Sequence, residues 1–315
     1  MSAKPSTTFL EEPWPSLPLA EWKDTYATLH RYAQVIGKVR LALTPRVNHW
    51  WNVVFYVDAT GLTTSSIPYP GGVLEIRFDF IEHRLVFQTS RGSTQILMLE
   101  PRTVADFYRD VRTALDSLGV PVSIWPMPVE IPDPIRFDED RRHASYDAGL
   151  AQRFWRVLVL VDTIFQEFRA RFVGKSSPVH FFWGSFDHCV TRFSGRRAPE
   201  REGADAMTRE AYSHEVISAG FWPGGGAVDG PAFYAYAAPE PPGFSQARIL
   251  PAAAYYHSEL KEFLLPYEEV RKLSSPKEAV MDFLQSTYEA GANLGKWDRA
   301  ALERRARPRN RTVQE

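Results

Sequence analysis

Cysteine is nearly absent from this sequence, because Cys189 is the single cysteine among 315 residues. One thiol excludes an intrachain disulfide and a cysteine-rich zinc site, and it is typical of a protein that resides in a reducing compartment. The N-terminal stretch MSAKPSTTFLEEPWP has no basic region followed by an apolar segment, so it does not resemble a secretory signal. We therefore expect a cytoplasmic protein.

An excess of one charge and a long apolar run are also missing. The chain has 37 Lys and Arg against 38 Asp and Glu, which argues against a protein built to bind the phosphate backbone of a nucleic acid. Apolar runs such as residues 157–161 are far shorter than the roughly 20 residues of a membrane-spanning helix. We expect neither a nucleic-acid partner nor a membrane, and an apolar content of 44% indicates a folded core.

Hydrophobic periodicity predicts two helices with strands between them in a first half, 14–120, after a loose leader, 1–13. Apolar residues at three-four spacing predict a helix over 19–36. Thr103 followed by Asp106 predicts the capped start of the next helix. The segments between them are rich in β-branched and aromatic residues, which is typical of antiparallel strands: NHWWNVVFYV, GVLEIRFDF, HRLVFQTS and TQILML.

A second half, 141–297, is predicted to follow a stiff, proline-rich linker, 121–140. It opens with a long helix predicted over 145–172, and strands are predicted in VHFFWGSFDHCVTRFSGRRAP, HEVISAGFWPG and PAFYAYAAPEP. A capping box at Ser275, with proline in the first helical position, predicts the last long helix. The basic tail, 298–315, is predicted to fray.

The two halves share one order of elements, and three residue pairs repeat at an offset of 131: His49 with His180, His83 with His214, and Leu29 with Leu160. His49 and His180 each precede an aromatic segment that is predicted to be a strand. We expect an α+β fold of two similar halves, each with antiparallel strands flanked by helices. A duplication with pseudo-twofold symmetry is a hypothesis, because side-chain identity elsewhere is poor; it would leave a cleft between two sheets.

The segment 179–199 allows two interpretations. Two strands, 179–184 and 188–193, could form a hairpin that turns at GSFD, or Ser185 could cap a helical turn. Analogy with the first half favours the hairpin. Alternate residues of a strand point to opposite faces, so His188, Val190, Arg192 and Ser194 would share one face, and Cys189, Thr191 and Phe193 the other. His188 and Cys189 are then not a nucleophile–base pair, and Cys189 is interpreted as a small core residue.

Charged and aromatic residues in the second half define a candidate site. Asp187 beside Arg192 and Arg196 is either an ion pair that holds the turn or part of an anion-binding site, since guanidinium groups match carboxylate and phosphate. Asp187 or Glu215 would transfer protons, because an aromatic surround raises the pKa of a carboxyl group. The predicted substrate-binding residues are Arg192, Arg196, Ser185, Trp183, Trp222 and Tyr236.

Metal or cofactor binding has weaker support. His49, His180, His188 and His214 could converge with Asp187 or Glu215 on a metal ion. However, the sequence contains no HExxH or closely spaced His-x-His pattern, so no metal site is assigned. The glycine-rich turn PGGGAVDGP lacks the GK[ST] of a phosphate-binding loop, and no motif implies a cofactor.

Several of these segments resemble a known family. FFWGSFD, TRFSGR, YSHE, SAGFWPG, YAYAAPEP and the early EWKDTYATLHRYAQVIGKVRLAL are similar to a bacterial and fungal family catalogued as domain of unknown function 5996, from about Trp14 to Trp297. That family brings no established activity. The resemblance implies one unit whose motif positions are Trp183, Gly184, Asp187, Thr191, Arg192, Phe193, Gly195, Arg196, Glu215, Trp222, Tyr236 and Pro239. It also implies that His188 and Cys189, which match the family pattern poorly, are not family catalysts.

From the sequence we predict an enzyme that acts on a small anionic molecule by general acid–base chemistry in an aromatic-lined pocket of the second half. The alternative is a non-catalytic module that binds a small molecule or a partner in the same pocket. A metal-dependent enzyme using His180, His188 and His214 is the third interpretation. Substrate, reaction and oligomeric state stay open.

Overall fold

The computed structural model describes residues 12–304 and shows an α+β architecture. Two antiparallel sheets of six strands each carry the long helices. The two sheets meet where the main chains of Phe55 and Phe181 exchange two hydrogen bonds of 2.8 Å. Within residues 12–304, no helix is both long and apolar enough to cross a lipid bilayer. The prediction of an α+β fold with antiparallel strands is confirmed.

The first half places a sheet beside two helices. Its elements are α1 (Leu19–Leu43), a 3-10 turn (Asn48–Trp50), β1 (Tyr56–Val57), β2 (Gly61–Thr63), β3 (Ile67–Tyr69), β4 (Gly72–Asp79), β5 (Arg84–Thr89), β6 (Thr94–Met98) and α2 (Val104–Ser117). The strand order is β1-β2-β4-β5-β6, with β3 also paired to β4. Both predicted helices are confirmed, and the Thr103 hydroxyl accepts a hydrogen bond of 3.1 Å from the Asp106 amide as predicted.

The predicted strand over NHWWNVVFYV is wrong for most of its length. Residues 48–50 form the 3-10 turn, in which His49 and Trp50 have positive φ angles of 57° and 61°. Extended backbone cannot accommodate these angles. Pairing within the first sheet begins at Tyr56, one residue after the bridge from Phe55 to Phe181. His49 therefore does not begin a strand, whereas His180 does, and the structure does not confirm the duplication hypothesis.

The second half consists of the second sheet and the helices that pack against it. Its elements are α3 (Ala148–Ala170), β7 (His180–Phe182), β8 (Asp187–Arg197), α4 (Ala206–Ala211), β9 (His214–Trp222), β10 (Ala232–Ala238), a second 3-10 turn (Phe244–Gln246), β11 (Tyr255–His257), β12 (Glu262–Pro266), α5 (Tyr267–Arg271), α6 (Pro276–Leu294) and α7 (Arg299–Leu302). The strand order is β11-β12-β10-β9-β8-β7. Sequence periodicity missed β11 and β12.

The segment 179–199 is a hairpin, as predicted. His180 pairs with Cys189 and Phe182 pairs with Asp187, so the turn spans residues 183–186. Phe186 closes this turn with a φ of 61°. Asp187 is therefore the first residue of β8. The alternation of side chains along that strand determines which face of the sheet its carboxyl group lies on.

The capping box predicted at the start of α6 is not formed. Pro276 occupies the first helical position as predicted, but the Ser275 side chain makes no capping hydrogen bond. The ψ angle of Ser275 is 71°, away from the extended conformation usual for a residue whose side chain caps a helix.

The proline-rich segment 121–140 contains no helix or strand, yet it is fixed to the first half. The Gln34 amide of α1 accepts from the Val129 N–H at 2.8 Å and donates to the Val129 carbonyl at 2.7 Å. Most of the predicted leader, residues 1–11, and the end of the predicted tail, residues 305–315, lie outside the described residues. The described part of the tail contains α7.

Candidate functional site

A cavity of about 510 Å³ lies over the face of the second sheet that α3 and α6 leave uncovered. The sheet forms its floor, the first half contributes His49 and Trp51, and the proline-rich segment contributes Glu130. The lining residues are His49, Trp51, Glu130, Phe182, Ser185, Asp187, Cys189, Thr191, Phe193, Ala211, Tyr212, Val216, Ser218, Trp222, Tyr234, Tyr236, Leu260 and Glu262. The strands of the first sheet contribute none of these residues, so the cavity is not a cleft between two sheets.

Strand β8 divides its side chains between the cavity and the helices. One set lines the cavity: Asp187, Cys189, Thr191 and Phe193. The intervening residues face α3 and α6: His188 stacks on Phe165 with ring centroids 5.9 Å apart, and the Arg192 guanidinium lies 3.4 Å from the centre of the Phe168 ring. This confirms the predicted alternation and separates Asp187 from Arg192, because residues five apart in a strand point to opposite faces.

Asp187 is the central polar group of the cavity floor. Its side chain is held by two hydroxyl groups, since Ser185 Oγ donates to Oδ1 and the Tyr234 hydroxyl donates to Oδ2. The residue is only 6% exposed. Burial raises the pKa of Asp187, and the two hydroxyl hydrogen bonds oppose that rise. The carboxyl group is thus fixed in position and partly desolvated.

Gly220 makes the contact between Tyr234 and Asp187 possible. In the sheet register, Gly220 on β9 lies between Cys189 on β8 and Tyr234 on β10. The Tyr234 ring crosses β9 at this point, and a Cβ atom at position 220 would lie 2.3 Å from that ring. A side chain there would collide with the tyrosine, so glycine is required for the close approach.

Two further carboxyl groups line the cavity around Asp187. Glu262 begins β12, and burial followed by the charge of Asp187 raises its pKa to about 7. Glu130, at the rim in the proline-rich segment, has its pKa raised by the same two causes in the same order. Within residues 12–304, neither these two groups nor Asp187 forms an ion pair with a basic side chain.

Helix α1 positions the turn that carries Ser185 and Asp187. His30 Nε2 donates to the Gly184 carbonyl at 2.8 Å, and Gln34 binds Val129, next to Glu130. A Cβ atom at Gly184 would lie 2.4 Å from Glu130 Oε1, so the glycine lets the rim carboxylate approach the turn. Burial lowers the pKa of His30 to about 4, so this histidine is a neutral donor.

The other end of the cavity is aromatic and adjoins the basic side chain of Lys175. His49 Nδ1 donates to the Glu210 carbonyl at 3.1 Å, which leaves Nε2 to accept from Lys175 Nζ at 2.6 Å. Lys175 Nζ also lies 4.9 Å from the centre of the Phe193 ring. Burial lowers the pKa of both Lys175 and His49. On the neighbouring wall, the hydroxyls of Tyr212 and Tyr236 are 2.9 Å apart.

Four of the predicted site residues meet in the cavity: Asp187, Ser185, Trp222 and Tyr236. Trp183 is instead in the core, where its indole Nε1 donates to the Val53 carbonyl at 2.7 Å and its ring packs on Gly37. Glu215 and Arg196 form an ion pair of 2.6 Å away from the cavity, beside a smaller hollow of about 160 Å³.

Arg192 lies behind the sheet. It is 1% exposed, donates to the Phe168 carbonyl and packs over the rings of Phe168 and Tyr288. Burial lowers its pKa to about 9. The sequence grouped Asp187 with Arg192 and Arg196, but the structure does not bring either guanidinium to the cavity, so the predicted anion-binding cluster is not formed there.

The predicted convergence of histidines on a metal is also not formed. His180 is fully buried with both ring nitrogens unpartnered among the described atoms, whereas His188 Nε2 lies 3.0 Å from Asp162 Oδ1 on the helix side. His214 contacts the Ser213 hydroxyl. In the part of the chain from 12 to 304, no group of three or more His, Cys, Asp or Glu side chains is arranged to hold a metal ion.

Sequence reasoning missed Glu130, Glu262 and Gly220. Glu262 precedes three consecutive buried apolar residues in EFLLP, so no two-residue alternation indicated that it faces a cavity. Glu130 lies in a segment without periodicity. Gly220 could have been suspected as a glycine inside an aromatic strand, which indicates a close approach.

The fold and the cavity define an α+β chain with a carboxyl-bearing, aromatic-walled cavity on one sheet face. A model of a family of unknown function, DUF5996, matches residues 14–304, and the chain belongs to this family. This confirms the resemblance carried by the sequence motifs. No curated protein and no solved structure matches the chain.

Proposed function

We propose that this protein is an enzyme that binds a small molecule in the cavity and transfers protons through Asp187 and Glu262. The observation that carries the proposal is the presence of two carboxyl groups in unequal environments within one aromatic-walled cavity. Asp187 is buried and bound by two hydroxyls, whereas Glu262 is half-buried with a pKa raised to about 7. Carboxyl groups whose environments differ in this way commonly divide the roles of acid and base.

The pKa of Glu262 suits proton exchange near neutral pH. A general acid or base is most effective when its pKa lies near the operating pH, because both protonation states are then populated. The hydroxyl of Tyr234, a residue of strand β10, donates a hydrogen bond to one oxygen of Asp187 and so holds that carboxyl group in place. Both carboxyl groups line the cavity in which a bound molecule would lie.

The walls support binding of a small molecule. Large aromatic rings line the cavity, among them those of Trp51, Phe182, Trp222, Tyr234 and Tyr236. Binding sites typically combine such apolar walls with a few convergent polar groups. The volume of about 510 Å³ accommodates a molecule of metabolite size.

The proposal differs from the sequence prediction in two respects. A different residue supplies the second carboxyl group, and the substrate need not be anionic. Glu262 takes the place of Glu215, because Glu215 is paired with Arg196 outside the cavity. Arg192 and Arg196 are given no contact with substrate, so the proposal does not require an anionic molecule.

Incubation of the purified chain with a mixture of small metabolites in D2O, followed by mass spectrometry and NMR, tests this proposal. We expect the wild type to convert at least one compound or to exchange deuterium into it. Asp187→Asn and Glu262→Gln should slow that reaction by about 100-fold or more, the range of a general acid or base. Glu215→Gln, the matched control outside the cavity, should retain wild-type turnover.

Each variant is first checked by thermal melting, so that loss of turnover is not loss of the fold. Wild-type turnover by Asp187→Asn would contradict the proposed chemistry. Compounds that bind to the wild type without being converted would instead identify a non-catalytic binding module.

A further inference from the structure

We propose that the molecule bound in this cavity is an organic cation, such as a primary ammonium compound, and not an anion. This inference rests on the proposed function, because it assigns a substrate class to the same site. It starts from three carboxyl groups, those of Glu130, Asp187 and Glu262, which line one cavity together with aromatic rings.

The three cavity carboxyl groups have no ion-pair partner among residues 12–304, although Arg201 and Lys261 line an adjoining hollow that Glu262 also borders. The two arginines of β8 are already engaged elsewhere. The Arg196 guanidinium binds Glu215, and the Arg192 guanidinium binds the Phe168 carbonyl behind the sheet. Carboxylates that share a cavity repel each other, and a positive charge placed between them relieves that repulsion.

The arrangement favours an organic cation over a metal ion. The three carboxyl groups come from β8, β12 and the rim segment, and within residues 12–304 no three acidic, histidine or cysteine side chains are arranged to hold a metal ion. Groups spread around a cavity of about 510 Å³ suit a ligand of several atoms. Such a ligand can direct its ammonium hydrogens toward more than one carboxyl group.

The walls supply a second attraction for the same charge. Tyr234 and Tyr236 are stacked with ring centroids 6.2 Å apart, and both lie on the cavity side beside Trp222. Aromatic faces attract a cation through their ring quadrupole, most strongly where water is excluded. An anion would meet the negative faces of these rings and the carboxyl groups at once.

Lys175, which adjoins the other end of the cavity, does not offset this preference. Lys175 and His49 contact each other, and Lys175 itself is exposed at the surface and is not part of the lining. Burial lowers the pKa of His49, which favours its neutral form. The described lining residues therefore include three carboxyl groups and neither a lysine nor an arginine.

Three probes of matched shape and different charge test the inference: 2-phenylethylamine, which is a cation at neutral pH, 2-phenylethanol and phenylacetate. Their affinities are measured by isothermal titration calorimetry, with tryptophan fluorescence as a second readout, because Trp51 and Trp222 line the cavity. We expect the cation to bind about tenfold or more tightly than the alcohol, and phenylacetate to bind weakest.

The selectivity should depend on the cavity carboxyl groups. Glu262→Gln and Glu130→Gln should each reduce the preference for the cation over the alcohol to about threefold or less, since one attractive charge is lost. Glu215→Gln should keep the full preference, because its carboxyl group lies outside the cavity. Thermal melting of each variant ensures that folded proteins are compared.

The outcomes separate this inference from the proposed function. Equal binding of the cation and the alcohol, or tighter binding of phenylacetate, overturns the assignment of a cation and leaves the cavity as a small-molecule site. If none of the three probes binds and the metabolite mixture is also unchanged, both the inference and the proposed function are overturned.

Discussion

The two faces of the second sheet both carry ionisable side chains, but their surroundings differ. On the helix side, His188 is paired with Asp162 at 3.0 Å, and Arg192 is enclosed by Phe168, Tyr288 and a backbone carbonyl. On the cavity side, Asp187 has two hydroxyl donors and Glu262 has no basic partner among the described residues. Ionisable groups that are enclosed by helices indicate a structural role, whereas carboxyl groups that border an open cavity indicate a site.

The largest expected effect concerns the helix side. Arg192→Ala should lower the free energy of unfolding by about 3 kcal/mol, because it empties a large buried volume and removes the side-chain hydrogen bond to the Phe168 carbonyl. Chemical denaturation measures this effect. Arg196→Ala, at an exposed ion pair, should cost less than about 1 kcal/mol and serves as the control. Similar losses for both variants would mean that Arg192 is not a structural residue of the helix side.

A smaller loss of stability is expected at Gly220, where the Tyr234 ring lies against the backbone of β9. Gly220→Ala should cost about 2 kcal/mol, because the new methyl group overlaps the Tyr234 ring and displaces it. Turnover or ligand binding should fall together with stability. Gly230→Ala, where a Cβ atom would meet no neighbour within 4 Å, should change stability by less than about 0.5 kcal/mol. A Gly220→Ala protein as stable as the wild type would disprove the close approach of Tyr234.

Removing one hydroxyl tests how Asp187 is held. Tyr234→Phe deletes a hydrogen bond to a carboxyl oxygen and should cost about 1.5 kcal/mol. The pKa of Asp187 should rise further, because the deleted hydrogen bond lowers it in the wild type. Carbon-13 NMR titration of the aspartate carboxyls measures the shift, with Tyr236→Phe as the control. An unchanged pKa of Asp187 would show that Tyr234 does not bind it.

The smallest effect is a pH dependence that belongs to Glu262. Its pKa is raised from 4.5 to about 7, so the folded state keeps a proton that the unfolded chain releases in this interval. The stability contribution is therefore fully present below about pH 4.5, falls as pH rises, and is lost above about pH 7. Asp187 from β8, Glu130 from the rim and Tyr236 from β10 line the same cavity.

Melting temperatures across this interval measure the contribution of Glu262. In Glu262→Gln the decline of stability between these pH values should be shallower than in the wild type. A parallel decline in both proteins would assign the dependence to another group, with Asp187→Asn as the comparison that identifies it.

Local periodicity predicted the features of the chain that depend on neighbouring residues. It located α1, α2, α3 and α6 and predicted the alternation of β8. The hairpin was favoured by analogy with the first half and not by periodicity. If the alternation of β8 had been extended to Asp187, it would have placed Asp187 and Arg192 on opposite faces of the sheet. Trp222 and Tyr236 were found for the same reason, because both lie in long aromatic strands.

Features that depend on distant contacts were not predictable in this way. Glu130 reaches the cavity because Gln34 fixes Val129 and because Gly184 leaves room for the carboxyl group. Trp183 looked like a pocket wall, but its ring is buried against Gly37 of α1. The helical turn at His49 depends on positive φ angles that aromatic composition does not indicate.

The central claim, that the chemistry belongs to the cavity face of the second sheet, is tested most directly by two matched substitutions on its opposite faces. The affinity of 2-phenylethylamine is measured by calorimetry for Asp187→Asn and for Asp162→Asn. We predict a loss of about tenfold or more for Asp187→Asn, because a cavity carboxylate is removed, and a change of less than about twofold for Asp162→Asn, which leaves the cavity intact. Equal losses for both variants, or a larger loss for Asp162→Asn, would contradict this account.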